Sequence, residues 1–250
     1  MIRFFRQIRQ SLLSDHKFSK YVLYAVGEIL LVVIGILIAL WVNDWNEGRK
    51  DQDKRTALLA SLSVEFNANL KQLDSVMYYN SRVIEAANKI VTLRPDQAIP
   101  PVYDTLREWV ANTTWLWTYN PQNGALRSGI SSGDVHLIKN DSLINLLFSW
   151  EDVVADAGEN EKRHIEVQLR AGSIVNPYVR SLSSSGLSYY DLPESDFPSD
   201  FHGLMLDPLF EDYIAEVYIH TFDAQDELKL VRQQNVKIIQ ILERELNRFK

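Results

Sequence analysis

Glu161-Lys162-Arg163-His164 carries the E-x-x-H spacing that puts a carboxylate and an imidazole on one face of a helix. Carboxylate-bridged di-iron sites in helical bundles are built from that arrangement, but they need the motif twice, with two further inward acids. No second copy exists here, and Glu216 and His220, spaced by four, would at best assist. A solvated charged face, continued by Glu159, Lys162, Arg163 and Glu166, is therefore the expected role of this stretch. His136 and His202 stand alone, and no Ser-His-Asp set, Gly-rich phosphate loop or metal triad is present. The chain has no Cys, which removes disulfides, zinc-thiolate sites and thiol catalysis. Neither catalysis nor a cofactor or metal is expected, and an enzyme reading would rest on the lone E-x-x-H.

Glu28 is the second residue with chemical promise, because of where it lies. Tyr21 to Val42 reads YVLYAVGEILLVVIGILIALWV, and Glu28 is its one acid. At about 1.5 Å per residue the segment reaches roughly 33 Å, enough for a hydrocarbon core of about 30 Å. An acid inside a span is costly in lipid, so it faces protein, water or a partner. Glu28, Val32, Gly35 and Ala39 share one helical face, and Gly35-x-x-x-Ala39 is a small-residue pair that lets two backbones approach. That face is expected to make helix contacts, within a homo-oligomer or with a protein partner. Proton coupling through Glu28 is the bolder alternative. Its position two turns from one end of the span, within reach of headgroups or Lys20, favours anchoring or contact.

The flanks set the direction. Residues 1–20 carry Arg3, Arg6, Arg9, Lys17 and Lys20 against Asp15, whereas Asn43 to Arg55 mixes four bases with four acids. Basic residues beside a span stay on the cytoplasmic side, so an N-inside orientation is expected. Tyr21 and Tyr24 at one end, and Trp41 and Trp45 at the other, suit the two aromatic belts. Lipid is thus an expected partner, with Arg3, Arg6, Arg9, Lys17, Lys20, Tyr21, Trp41 and Trp45 as interface anchors. Ile2, Phe5, Ile8 and Leu12 fall at helical spacing, which suits a short interfacial helix, although Arg9 sits on its apolar side. A cleaved signal peptide would have a shorter apolar run ending in small residues; this one ends Leu40, Trp41, Val42. A net charge of −7 argues against nucleic acid as a partner.

Behind the span, apolar residues keep helix periodicity: Leu59, Leu62, Phe66, Leu73, Val76, Val83, Ala87, Ile90, with Asn69 and Asn80 on the same stripe. No Gly or Pro lies between Arg49 and Arg94, so the helix is expected to continue from the span to Pro95. The C-terminal segment repeats the pattern from Phe210 to Phe249, with Asn235 on its stripe and Asp207-Pro208 as its start signal. A third long segment runs from Asn140 to about Leu182, with Gly158 and Pro177 as weak points. A shorter one, Pro101 to Ser132, is interrupted at Asn120-Pro121 and Asn123-Gly124. Ser183 to Asp207 is a long connection whose aromatics either meet a partner or fold back on the core. Period-two alternation is missing. The predicted fold is all-α: a basic leader (1–20), one transmembrane helix (21–42), and an extended antiparallel bundle of about four helices (43–250). Asn69, Asn80 and Asn235 would fix its register as polar layers.

Three stretches together carry a resemblance: RFFRQIRQSLLSDHKFSKYVLYAVGEILLVVIGILIALWVNDWNE, SSGDVHLIKNDSLINLL and IIQILERELNRF. The chain resembles an uncharacterised family of small single-pass membrane proteins common in Bacteroidetes bacteria. Trp41 departs from it, standing where a polar residue is more usual. The resemblance implies an inner-membrane protein with a periplasmic helical domain, and it implies no activity and no site residues. The expected role is a noncatalytic scaffold or accessory subunit of a membrane complex. A sensor-like ligand-binding bundle, signalling through a partner, is the alternative.

Overall fold

The computed structural model describes residues 18–93, 102–183, 191–193 and 195–248. Among them there is no strand. Helix α1 spans Phe18–Thr92, α2 Tyr103–Thr113, α3 Gly124–Ser132, α4 Asp141–Phe148, α5 Trp150–Gln168, α6 Ala171–Val175, α7 Phe201–Met205 and α8 Pro208–Asn247. Single 3-10 turns lie at Asp134–Leu137 and Ser181–Ser183. The chain divides into two compact units, Met1–Arg55 and Thr56–Lys250, with the division falling inside α1.

In the first unit the large apolar side chains from Val22 to Trp45 are exposed. This part of α1 is the one described stretch long and apolar enough to cross a membrane, which is compatible with membrane anchoring. Lys20 and Tyr21 fall in the first turn of α1, while Arg3, Arg6, Arg9 and Lys17, with the expected interfacial helix, lie outside the described residues.

The second unit is held by two apolar clusters. One joins Leu59, Leu62, Phe66 and Leu73 of α1 to Leu143, Leu147 and Trp150, and to Leu228, Val231, Ile238 and Leu242 of α8. The other joins Val83, Ala87 and Ile90 to Leu106 and Val110 of α2, to Val167, and to Phe210, Ile214 and Val217. Early α5 therefore meets late α8, and late α5 meets early α8, so these two helices run antiparallel. The Asp74–Arg232 pair (2.7 Å) and the Gln225 amide on the Met77 carbonyl (3.1 Å) give α1 and α8 the same relation. Every described stripe position predicted for α1 and α8 is buried, the asparagines included; Phe249 lies outside the described residues.

The stretch from Thr114 to Asn123 has no regular structure, yet it is packed against the core at Tyr119. Backbone groups in such a segment that are shielded from water must find partners outside any helix or ladder. Here side chains supply them. Asn69 accepts from the Gln122 N–H (2.8 Å) and donates to the Gln122 carbonyl (2.7 Å). Glu65 accepts from the N–H groups of Ala125 (2.6 Å) and Leu126 (3.1 Å), the otherwise orphaned donors at the start of α3. Gln168 and Tyr213 both donate to the Thr113 carbonyl, and the Trp150 indole donates to Asn123 Oδ1. At the far end of α3, Gly133 (φ 78°) takes the left-handed conformation that closes the helix.

Of the two weak points its sequence marks, the third segment ends its last helix at Val175, just before Pro177, but does not break at Gly158. Gly158 lies inside α5 without interrupting it, whereas Ser149 separates α4 from α5. A helical glycine costs only about 1 kcal/mol relative to Ala, and neighbouring packing absorbs that. At Ser149 the Leu146 carbonyl accepts from Gln234 of α8 (2.9 Å) and from the Ser149 hydroxyl (3.3 Å), which draws it away from the helical ladder. The Asp207-Pro208 start of α8 is as expected, with the Asp207 carboxylate accepting from the Leu209 N–H. In the long connection Phe201 is buried and Phe197 exposed; Tyr189 and Tyr190 lie outside the described residues.

Glu65 gives the sharpest test of this packing. Glu65→Ala strips the acceptor from two amides and should cost about 2–3 kcal/mol, lowering the melting temperature by roughly 5–10 °C in a chain of this size. Glu65→Gln, which keeps one acceptor oxygen, should lose about half as much. Thermal unfolding followed by circular dichroism reads both.

Candidate functional site

The E-x-x-H pair does not lie on a solvated face. Glu159, Lys162, Arg163 and Glu166 are exposed as expected, but Glu161 and His164 point inward and are buried. The reason is local: position 161 follows Ala157 by one turn and 164 precedes Val167 and Gln168, so both sit on the apolar stripe of α5. They lie between the two apolar clusters, level with Asn80 of α1 and Thr221 and Gln225 of α8. A polar belt thus divides the core.

Within the belt each group has a definable state. Glu161 accepts from the Tyr119 N–H (3.0 Å), one more fastening of the irregular stretch. Burial pushes its carboxyl up to about 7 against the opposing pull of that N–H. The Thr221 hydroxyl donates to the Val217 carbonyl (2.6 Å), so its oxygen is left to accept from His164 Nδ1 at 3.0 Å. His164 is then the neutral Nδ1–H tautomer. Burial, with His220 adding repulsion, pulls its pKa down to about 4. Among the described residues His164 Nε2, Asn80 Oδ1 and Gln225 Oε1 have no hydrogen-bond partner. Glu216 pairs with Arg170, away from this group. Among the described residues no three His, Cys, Asp or Glu side chains are placed to hold a metal ion.

The membrane-facing candidates belong to the first unit. Glu28 is exposed on α1, as are Val32, Gly35 and Ala39, and a Cβ placed at Gly35 would meet nothing within 4 Å. Trp41 and Trp45 are exposed a few residues further on. A third feature has no counterpart in the sequence pattern. α2, the residues that follow it, and the α6 region enclose a cleft lined by Arg107 and Arg180, which are far apart in the chain with no motif linking them. Glu65 also escaped the pattern, although its place between Leu62 and Asn69 on a buried stripe is the signal that locates it.

The model of the Family of unknown function (DUF6090) matches residues 28–185. The chain belongs to that family. No curated protein and no solved structure matches it.

The two buried titrations oppose each other. Glu161 is protonated more readily in the folded chain than in the unfolded one, so its contribution favours folding at low pH and is lost as pH rises from about 4.5 to about 7. His164 is protonated less readily when folded, so its contribution is present above about 6.5 and is lost as pH falls towards about 4. Between these limits the two slopes offset, and stability should be nearly flat with pH. Glu161→Gln should expose the histidine slope, with stability falling in acid; His164→Gln should expose the opposite slope. Denaturant unfolding at a series of pH values would separate them.

Proposed function

We propose that this chain is a single-pass inner-membrane protein of a Bacteroidetes bacterium, its N-terminus cytoplasmic and its helical second unit periplasmic. That unit serves as a noncatalytic scaffold or accessory subunit for a protein partner. The observation that carries the reading is the uncovered apolar stretch from Val22 to Trp45 of α1. So long a contiguous apolar surface is unfavourable in water and satisfied in a bilayer, where a helix needs no backbone partner beyond its own. The basic leader supports the orientation, and Tyr21, Trp41 and Trp45 act as interface anchors alongside Arg3, Arg6, Arg9, Lys17 and Lys20.

Helix contact is assigned to Glu28, Val32, Gly35 and Ala39. The open surface over Gly35 supports close approach of a second backbone, and association would take Glu28 out of lipid. Two experiments test the reading. Because the chain has no Cys, Ser173→Cys in α6 introduces a single thiol on the second unit. A membrane-impermeant maleimide should label it in intact spheroplasts; labelling only after lysis would reverse the orientation. Gly35→Ile should reduce cross-linked oligomer or copurified partner severalfold, whereas Leu37→Ile, on the opposite face, should leave it unchanged.

A further inference from the structure

Tyr119 is the buried residue of the irregular stretch, and its two polar ends meet different helices. Its N–H donates to Glu161 of α5 at 3.0 Å. Its side chain packs in the apolar cluster that holds Val231 and Ile238 of α8. Asn235 lies between those two on the same stripe, about one turn from each, and is fully buried. The Tyr119 hydroxyl and the Asn235 amide therefore face each other. Burial raises the pKa of the phenol, and Asn235, acting on it within hydrogen-bonding range, pulls the other way by favouring the ionised form. Yet the two side chains close no direct hydrogen bond. Among the described residues Tyr119 Oη, Asn235 Oδ1 and Asn235 Nδ2 have no partner, although all three are shielded from solvent. Unpaired polar atoms inside an apolar cluster are costly, and in protein interiors such groups are satisfied by other protein groups or by ordered water.

The types of these atoms select what joins them. Asn235 Nδ2 only donates, Asn235 Oδ1 only accepts, and a phenolic hydroxyl does both. A cation would be opposed by the amide N–H groups, and an anion by the amide oxygen. A neutral molecule that both donates and accepts suits the whole set. With Tyr119 6% exposed and Asn235 0%, that molecule has to be very small. Water fits, since a buried water typically makes about three hydrogen bonds to groups that would otherwise go unsatisfied.

We propose that an internal water bridges the Tyr119 hydroxyl and the Asn235 amide, so that Tyr119 fastens the irregular stretch to α5 through its N–H and to α8 through this water. The site lies within the second unit and is independent of the orientation and helix-contact assignments of the preceding subsection. A high-resolution experimental structure of the full-length chain tests it first. Density for one water is expected within about 2.7–3.2 Å of both Tyr119 Oη and the Asn235 amide. A direct contact between the two side chains, or no density between them, would overturn the proposal. Tyr119→Phe, which removes only the hydroxyl, should lower the melting temperature by roughly 2–4 °C. A dry, orphaned hydroxyl would instead leave it unchanged or raise it on removal, and that result would also overturn the proposal. In the Asn235→Leu background, where the bridge has already lost one end, Tyr119→Phe should lower the melting temperature no further; an undiminished loss there would contradict a shared water.

Discussion

The second unit depends on a stretch of chain without secondary structure of its own, anchored in the core at Tyr119. Thr114 to Asn123, with the helix ends on either side of it, has peptide groups fastened by Glu65 and Asn69 of α1, Glu161 and Gln168 of α5, and Tyr213 of α8. An unpaired backbone group in such a place costs free energy of the order of a lost hydrogen bond, about 1–3 kcal/mol each. Apolar packing alone has no means of satisfying them. Three long helices therefore carry inward polar residues at defined heights, and those residues set which part of the stretch lies against which turn. Register follows from hydrogen bonding, and the apolar clusters fill in around it.

Much of this was legible in the sequence, and the rest was hidden for physical reasons. The periodic stripes of α1 and α8 identify their buried faces because each helix meets the core along its whole length. The Asp207-Pro208 start and the interruptions near Asn120 and Asn123 are local chemistry, which a sequence displays directly. Asn69 and Asn80 were readable as polar layers, but not Asn69's partner, because Gln122 lies 53 positions away. The break at Ser149 depends on Gln234, 85 positions on, so no local signal marks it. Glu161 and His164 were misplaced because their neighbours are charged; helix phase, which puts them in line with Ala157 and Val167, outweighs composition. The cleft arginines come from separate elements and leave no pattern at all.

Polar groups in the core have consequences beyond register. A carboxyl raised by burial and an imidazole lowered by burial store opposite responses to pH in one belt, so the unit resists a change in either direction. The apolar first part of α1 is compatible with membrane anchoring, and the second unit is a helical unit with a pinned interior. In the E-x-x-H pair the carboxylate accepts from a backbone N–H and the imidazole bonds a threonine hydroxyl.

Amide hydrogen exchange on the full-length chain, read at Tyr119 and Gln122, tests the fastening of this stretch most directly. Both amides lie outside any helix, yet side-chain acceptors at 3.0 and 2.8 Å hold them. They should exchange as slowly as the core amides of α8, and Asn69→Ala should release Gln122 while α8 stays protected. Exchange of both at the rate of an open loop in the unmodified chain would contradict the account.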